Sequence, residues 1–580
     1  MRSKLALAAL AAAAFAFAAA GLDWDLPSDA RAARVLAPQW DRTALFDKLA
    51  SGWENIYKQA EGTTPLAAEA AGKYSTRLKG TFATDFKGPL PEPELWNSYR
   101  SMLIRSRHPD EAHPLSDLAR MNPAKLNFRP PSFVYGGGYL YPLGAYYFAL
   151  SKAGVVKPLP LRASLEKPGT LGGVYLAGRL VSAAAFAGVC LLVFLIVLRL
   201  EPRGLAYAAF AAALSMPALA VHARFLTPHL WAAFWALAAV YFSLRSLPSL
   251  ELKPLLAAGA CLGLASGSYW SAAHAALFVL AVVLSPGKEA FRPGALKKIA
   301  LAAGLAALVF LALNPYLPFN LHNAAGEFFP GGAAAGAGPE AGLRILFFRI
   351  FPVTLGPVYS VLFPAGCVWG IFSGRPLVRN LSAAALLFAL PASAAIFSGF
   401  PGGVRRFFPW LLTGVIIGTI FLGRLTARLK PVLKTAVFIL ALAPGLVMSA
   451  AYAMLFIDAA GPRSTFYRMA DALDAMPAGN VLGLTEFPQP AYMPAFRLDR
   501  WKLRLADEAA LKAMPAKELP EYLLVNFNQK DGLSGFLPGH YELLTGFYPR
   551  TLLGFKPDVL LCSANPPVEL YKLKGRGPVK

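Results

Sequence analysis

Residues 172–199 read GGVYLAGRLVSAAAFAGVCLLVFLIVLR, a block long and apolar enough to decide what solvates this chain. A bilayer core of about 30 Å needs about 20 helical residues to cross. A spanning segment must also satisfy its own backbone hydrogen bonds, which makes helix the economical reading. Blocks of the same kind recur on both sides, separated by Gly, Pro and basic clusters. The predicted spans are 4–21, 172–199, 204–221, 228–246, 254–269, 271–285, 299–314, 346–372, 380–397, 405–424 and 432–457. Segments 254–269 and 271–285 are short and meet at Gly267-Ser268-Tyr269-Trp270, so a broken or tilted pair is expected there. The expected fold is mainly α, a polytopic helical membrane protein with about 11 transmembrane helices.

Composition points the same way. The 580 residues are 56% hydrophobic and 15% charged, with mean hydropathy +0.46, against about 25% charged in soluble domains. The net charge of +23 comes from basic residues at the ends of apolar blocks, not from one stripe with aromatics interleaved, so nucleic acid is not the expected partner. Cys190, Cys261, Cys367 and Cys562 are widely spaced, three of them inside apolar segments, and indicate neither a disulfide framework nor a zinc site.

Basic residues set the orientation. With the N-terminus inside, the inside turns hold Arg2, Lys4, Arg199, Arg203, Arg245, Lys253, Lys288, Arg292, Lys297, Lys298, Arg375, Arg379, Arg424, Arg428, Lys430 and Lys434, sixteen in all. The short outside loops hold four, Arg224, Arg344, Arg405 and Arg406. Lys and Arg accumulate on the cytoplasmic side, so an odd number of spans places residues 458–580 outside. Residues 135–151, YGGGYLYPLGAYYFALS, would reverse every later loop if they spanned. Three consecutive glycines and five tyrosines make a poor spanning helix, and tyrosines suit the headgroup level, so an interfacial segment is expected. Residues 1–21 have the basic start, apolar run and small residues of a signal peptide; a retained first span is favoured, and cleavage would leave the downstream topology unchanged.

The outside face collects polar residues. Residues 22–171 form a long first outside loop, and loops of that length are usually functional or carry their own structure. One acidic group, Leu22-Asp23-Trp24-Asp25-Leu26-Pro27, directly follows the first span; another is Arg105-Ser106-Arg107-His108-Pro109-Asp110-Glu111. Asp110 and Glu111 cannot share one helix face, so one can meet a substrate while a cation holds the other. A general base must lie within hydrogen-bond reach of its proton, and forked guanidinium donors match phosphate oxygens. Carboxylates are equally favoured at helix starts, and spacing alone leaves both readings open. On the same side, the turn from His222 to His229 carries two histidines and Arg224, Pro401-Gly402-Gly403-Val404-Arg405-Arg406 carries two arginines, and Asn314-Pro315-Tyr316 is followed by His322. Singly these read as headgroup anchors, a satisfied core histidine and a helix stop. Together they describe a cationic site beside an acid.

That organisation resembles the GT-C superfamily of integral membrane glycosyltransferases, especially bacterial enzymes similar to the dolichyl-phosphate-mannose-protein mannosyltransferases. His108-Pro109-Asp110-Glu111 is similar to the family's first-loop acidic motif, and Pro130-Pro131 with Phe133, Tyr135 and Tyr139 to Tyr141 is similar to the segment that follows it. The His222 to His229 turn resembles an element that often ends in Asp, where His229 stands instead, and Arg405-Arg406-Phe407-Phe408-Pro409 resembles a late Arg-aromatic-Pro motif. The acidic pair lies later after the first span than is usual, so Asp23 and Asp25 remain rivals for the catalytic role, with His222 and His229 as alternate site residues.

The resemblance implies transfer of a sugar from a polyprenyl-phosphate donor to a lipid, glycan or protein acceptor on the outer face of the cytoplasmic membrane, with inversion. Asp110 would be the general base beside His108 and Glu111, and Arg405, Arg406, Arg224 and Arg107 would hold the donor phosphate. The resemblance fixes no cofactor and leaves a divalent metal open. The expected domains are a transmembrane unit, 1–457, and a small α/β or α+β domain outside, 458–580. The alternative class is a multispan transporter or lipid flippase, whose binding groups would gather near the midplane on interrupted helices.

Overall fold

The computed structural model describes residues 2–60, 88–89, 92–321, 339–395 and 401–575. His322 lies outside them. The protein is mainly helical with one small sheet, and every predicted apolar block forms helix over most of its length. Among the described residues five helices are long and apolar enough to cross a membrane: Pro168–Leu200, Pro293–Leu313, Pro376–Ser393, Gly403–Leu425 and Pro431–Ala459. Shorter apolar helices run beside them, among them Lys4–Ala19, Arg203–Leu214, Leu252–Ser268 and Pro357–Ile371.

Local chemistry explains the interruptions. Block 204–221 is cut into Arg203–Leu214 and Pro217–His222, because the residue before proline, Met216, is driven out of helical geometry (ψ 109°). Block 346–372 breaks at Gly356, whose φ of 83° only glycine adopts readily, followed by Pro357. The expected break after Gly267 is real: Leu252–Ser268 ends, Tyr269 is extended, and a 3-10 turn Trp270–His274 starts the next helix.

Close backbone approach accounts for the glycines of 135–151. This segment is a helix, Gly137–Lys152. A Cβ on Gly136 would lie 2.0 Å from the Gly267 carbonyl oxygen, and one on Gly137 2.0 Å from that of Leu313. The helix start is thus wedged against the ends of two apolar helices, and Asn314 stitches the junction by accepting from the Gly137 N–H (3.1 Å) and donating to the Gly267 carbonyl (3.3 Å). At the opposite ends of the helices, the Glu201 carboxylate accepts from Arg375 and, at 3.5 Å, from Arg424.

The sheet has six strands in the order β1-β3-β2-β4-β6-β5, where β1 is Gly88–Pro89, β2 Val481–Leu484, β3 Lys502–Leu505, β4 Tyr522–Asn526, β5 Tyr541–Phe547 and β6 Val568–Leu573. Strands β3, β2 and β4 are parallel neighbours, and β6 and β5 close the sheet antiparallel. Strand β1 comes from the first loop. The core beneath also crosses that divide: Leu36, Phe46, Tyr99 and Met102 pack with Phe466, Leu473, Phe487 and Phe496. The first loop and residues beyond 458 therefore fold as one body. It is fastened to the last apolar helix by the Tyr452 hydroxyl, which accepts from the Asp558 N–H at 3.0 Å, and by the Asp458–Arg550 pair. The helix Glu92–Ile104 emerges from this body and delivers the chain directly to residues 105–111.

Candidate active site

Residues 109–111 form one 3-10 turn, which sends the two neighbouring carboxylates in different directions. Glu111 is fully buried. Its Oε1 accepts from Arg179 Nε (2.8 Å) and the Leu226 N–H (2.8 Å), and its Oε2 accepts from Arg179 Nη2 (2.7 Å) and the Ser106 hydroxyl. Arg179, also fully buried, donates onward from Nη1 to the Leu22 and Trp24 carbonyls at 2.7 Å each. This bidentate pair ties the first loop, the end of the first apolar helix, the helix Pro168–Leu200 and the 222–229 turn to one point. Burial acts to raise the Glu111 pKa, but Arg179 outweighs it and holds the carboxyl below its ordinary value.

Asp110 faces the other way and remains 23% exposed, bonded at 2.7 Å to Arg405 Nη2, itself 22% exposed. Burial pushes this carboxyl up, yet the Arg405 charge prevails and holds it well below the usual carboxylate range. Arg405 Nε has no hydrogen-bond partner among the described residues. Next to it, Arg406 is exposed and has no ion-pair partner among the described residues. Its carbonyl accepts from Ser271 at 3.1 Å, so the helix break at 268–274 supports the arginine turn.

Histidines and tyrosines wall the pair. His108 stacks near Phe225 (ring centres 4.0 Å), and burial pulls its pKa down to about 4. His222 lies 5.7 Å from His229, which is 4.7 Å from Tyr269 and 6.5 Å from Tyr135. Burial, then the Asp110 charge, push the Tyr135 phenol up. Tyr492, from the C-terminal segment, responds to burial, Glu486 and Asp110 in that order, so this segment also faces the site.

Asp110, Glu111, His108, Arg405, Arg406, His222 and His229 thus come together. Other expected residues do not reach the open site. Arg224 is buried and spends its guanidinium on the Ala20 (2.8 Å), Phe17 and Ala220 carbonyls, satisfying acceptors that a helix end leaves without partners. Arg107 pairs with Asp25 at 2.8 Å and lies 3.5 Å over the Phe466 ring. Asp25 is 7% exposed, between Arg107 and Arg31, and Asp23 is exposed with no ion pair among the described residues. Among the described residues no group of three or more His, Cys, Asp or Glu side chains is arranged to hold a metal ion.

No protein-family model and no curated protein matches the chain. Solved structures do. The chain is similar to ArnT from Cupriavidus metallidurans in the apo state, at 14% identity over 80% of this chain and 93% of that one, with a TM-score of 0.43. It is also similar to the Archaeoglobus fulgidus oligosaccharyltransferase complexed with Zn and sulfate (14%, 73% and 65%, 0.41) and to the arabinofuranosyltransferase AftD from Mycobacteria (13%, 76% and 35%, 0.35). At these values the functional reading rests on the site itself.

Arg179 is the residue that sequence reasoning missed. Its signal was present: a lone charge inside an apolar block is expensive and marks a pairing or functional role. Tyr269 and Tyr492 carried no comparable signal, because only the folded chain brings them to the site.

Proposed function

We propose that this protein transfers a sugar from a polyprenyl-phosphate carrier to an acceptor hydroxyl at the outer face of the cytoplasmic membrane, with Asp110 as general base. The observation that carries the reading is the partly open Asp110–Arg405 ion pair at 2.7 Å, an acid and a phosphate-competent cation meeting over a floor of histidines. Arg406 stands beside it, exposed.

The pair works as a placeholder. When the carrier phosphate enters, Arg405 exchanges the carboxylate for phosphate oxygens, which its fork fits. Asp110 then loses the charge that held its pKa down and becomes a better base as the donor arrives. The acceptor oxygen bonds to the anomeric carbon while the bond from that carbon to the phosphate oxygen breaks. The electron pair leaves with the phosphate, where Arg405 and Arg406 stabilise it, and the acceptor proton passes to Asp110. One displacement inverts the anomeric centre. Glu111 and Arg179 hold the turn that aims Asp110, while Arg107 and Arg224 serve as internal ties.

A groove of about 300 Å³ lined by Tyr139, Leu143, Tyr146, Leu180 and Trp231 suits the polyprenyl chain. The topology that goes with this reading has eleven spans, an inside N-terminus, and 458–580 outside as a domain together with the first loop. The interrupted helix at 268–274 was the best feature for a transporter, but it buttresses Arg406 and the Gly136 region at the helix ends, which favours surface chemistry over a midplane site. Lipid-linked product analysis of a deletion strain tests the reading: a polyprenyl-phosphate sugar should accumulate and one glycosylated product should vanish. An unchanged profile of both would refute it.

A further inference from the structure

The walls of the site hold more hydrogen-bonding capacity than the protein uses. Among the described residues, both ring nitrogens of His222, both of His229 and Nδ1 of His108 are buried without a hydrogen-bond partner, and so is the Tyr139 hydroxyl. Leaving a buried polar atom unpaired costs about 1–3 kcal/mol, so a cluster of them facing an open acid–arginine pair marks a place where a ligand supplies the missing bonds.

The chemistry of that ligand follows from what the walls offer. A neutral imidazole presents one donor and one acceptor, and burial keeps His108 neutral at pH 7. A phosphate is acceptor-only and would leave the ring acceptors unpaired. An ammonium is donor-only and would leave the ring donors unpaired. A sugar hydroxyl donates and accepts, so a ring of hydroxyls satisfies both. Aromatic rings pack edge-on against the same imidazoles, Phe225 5.3 Å from His222 and Tyr269 4.7 Å from His229.

Resting on the reading above, we propose that His108, His222 and His229 bind the hydroxyls of the transferred sugar and select an uncharged polyhydroxylated sugar over one bearing an ammonium group. Phosphate recognition by the arginines and sugar recognition by the histidines are then separate functions of adjoining walls.

The test measures binding to the purified full chain in lipid nanodiscs at pH 7, with five probes: undecaprenyl phosphate, its glucose ester, its mannose ester, its 4-amino-4-deoxypentose ester, and that last ester N-formylated. At least one uncharged hexose ester should bind more tightly than undecaprenyl phosphate, and the ammonium ester should bind about tenfold more weakly than that hexose ester. Formylation, which removes the charge, should recover most of the loss. His222→Phe and His229→Phe should weaken the hexose ester while leaving undecaprenyl phosphate unchanged. Equal binding of the ammonium and formylated esters overturns the proposal on wild-type protein alone, even where the variants fail to fold. Equal losses for carrier and ester in the variants overturn it too. Failure of wild-type protein to bind any probe would instead remove the lipid-carrier reading, and this proposal with it.

Discussion

Replacing Glu111 by Gln converts one carboxylate oxygen into a donor. Each oxygen accepts two bonds, Oε1 from Arg179 and the Leu226 N–H, Oε2 from Arg179 and Ser106. Turned one way, its NH₂ confronts Arg179 Nε and the Leu226 N–H; turned the other, it confronts Arg179 Nη2 while the Ser106 hydroxyl must rotate to accept. Either way Arg179, with 0% exposure, loses its counter-charge and one of its two bonds to residue 111. Removing one member of such a buried pair costs about 3–5 kcal/mol. Extrapolating the size dependence of melting to a chain this long, that is a fall of about 2–4 °C. The assay is thermal unfolding of purified protein in one detergent, for Glu111→Gln, Arg179→Gln and the double variant. The double variant should melt higher than the sum of the single losses allows, with a coupling of about 1–3 kcal/mol. A Glu111→Gln protein that melts within about 1 °C of the parent, or strictly additive losses, would refute the claim that this pair holds the first loop in place.

Arg405→Ala should weaken binding of a polyprenyl-phosphate sugar by about 2–5 kcal/mol, with Arg405→Lys recovering only part because lysine lacks the fork; unchanged donor affinity would make Arg405 a headgroup anchor. The residual kcat/KM of Arg405→Gln should show its acid limb at higher pH than wild type: Asp110 loses its base form as pH falls through its pKa, and Arg405 is the charge that depresses that pKa. Asp25→Asn should lower the melting temperature, because Arg107 and Arg31 lose their counter-charge, whereas Asp23→Asn should change neither stability nor transfer; the reverse order in a paired measurement would move the catalytic role to the end of the first span. A reporter active only outside the cytoplasm should work near residue 60 and after residue 460 and fail at residues 290 and 430, and signal at either of the last two would invert the topology.

The helical architecture was legible because lipid imposes it locally. Segment 172–199 needs no distant partner to declare itself, and neither does the break at Gly267 to Trp270, where two short apolar runs meet. Asp110 and Arg405 each stood out in sequence from a motif of its own, and the fold joins them in one ion pair. Arginine roles were harder to read. Arg405, Arg107 and Arg224 look alike in sequence, but what separates an available guanidinium from a structural one is its acceptor: a facing carboxylate in an open site, a buried Asp25, or the loose carbonyls of a helix end. Those acceptors lie far away in sequence. The same holds for β1, a two-residue strand whose partner β3 lies in the C-terminal segment, and for the core shared by Tyr99 and Phe496. Reading residues 458–580 as a unit by themselves follows from composition; the boundary dissolves only when the long-range pairing is seen.

In the proposed reaction Asp110, and not its buried neighbour Glu111, takes the acceptor proton. Single-turnover transfer from a radiolabelled polyprenyl-phosphate sugar, with membrane extract as acceptor source, tests it directly in wild type and Asp110→Asn. Asparagine keeps the size of the side chain and much of its hydrogen bonding while removing the proton acceptor. Turnover should fall by about 10²-fold or more, with melting temperature and donor binding close to wild type. Near-normal transfer by a folded, donor-binding Asp110→Asn protein would contradict the account.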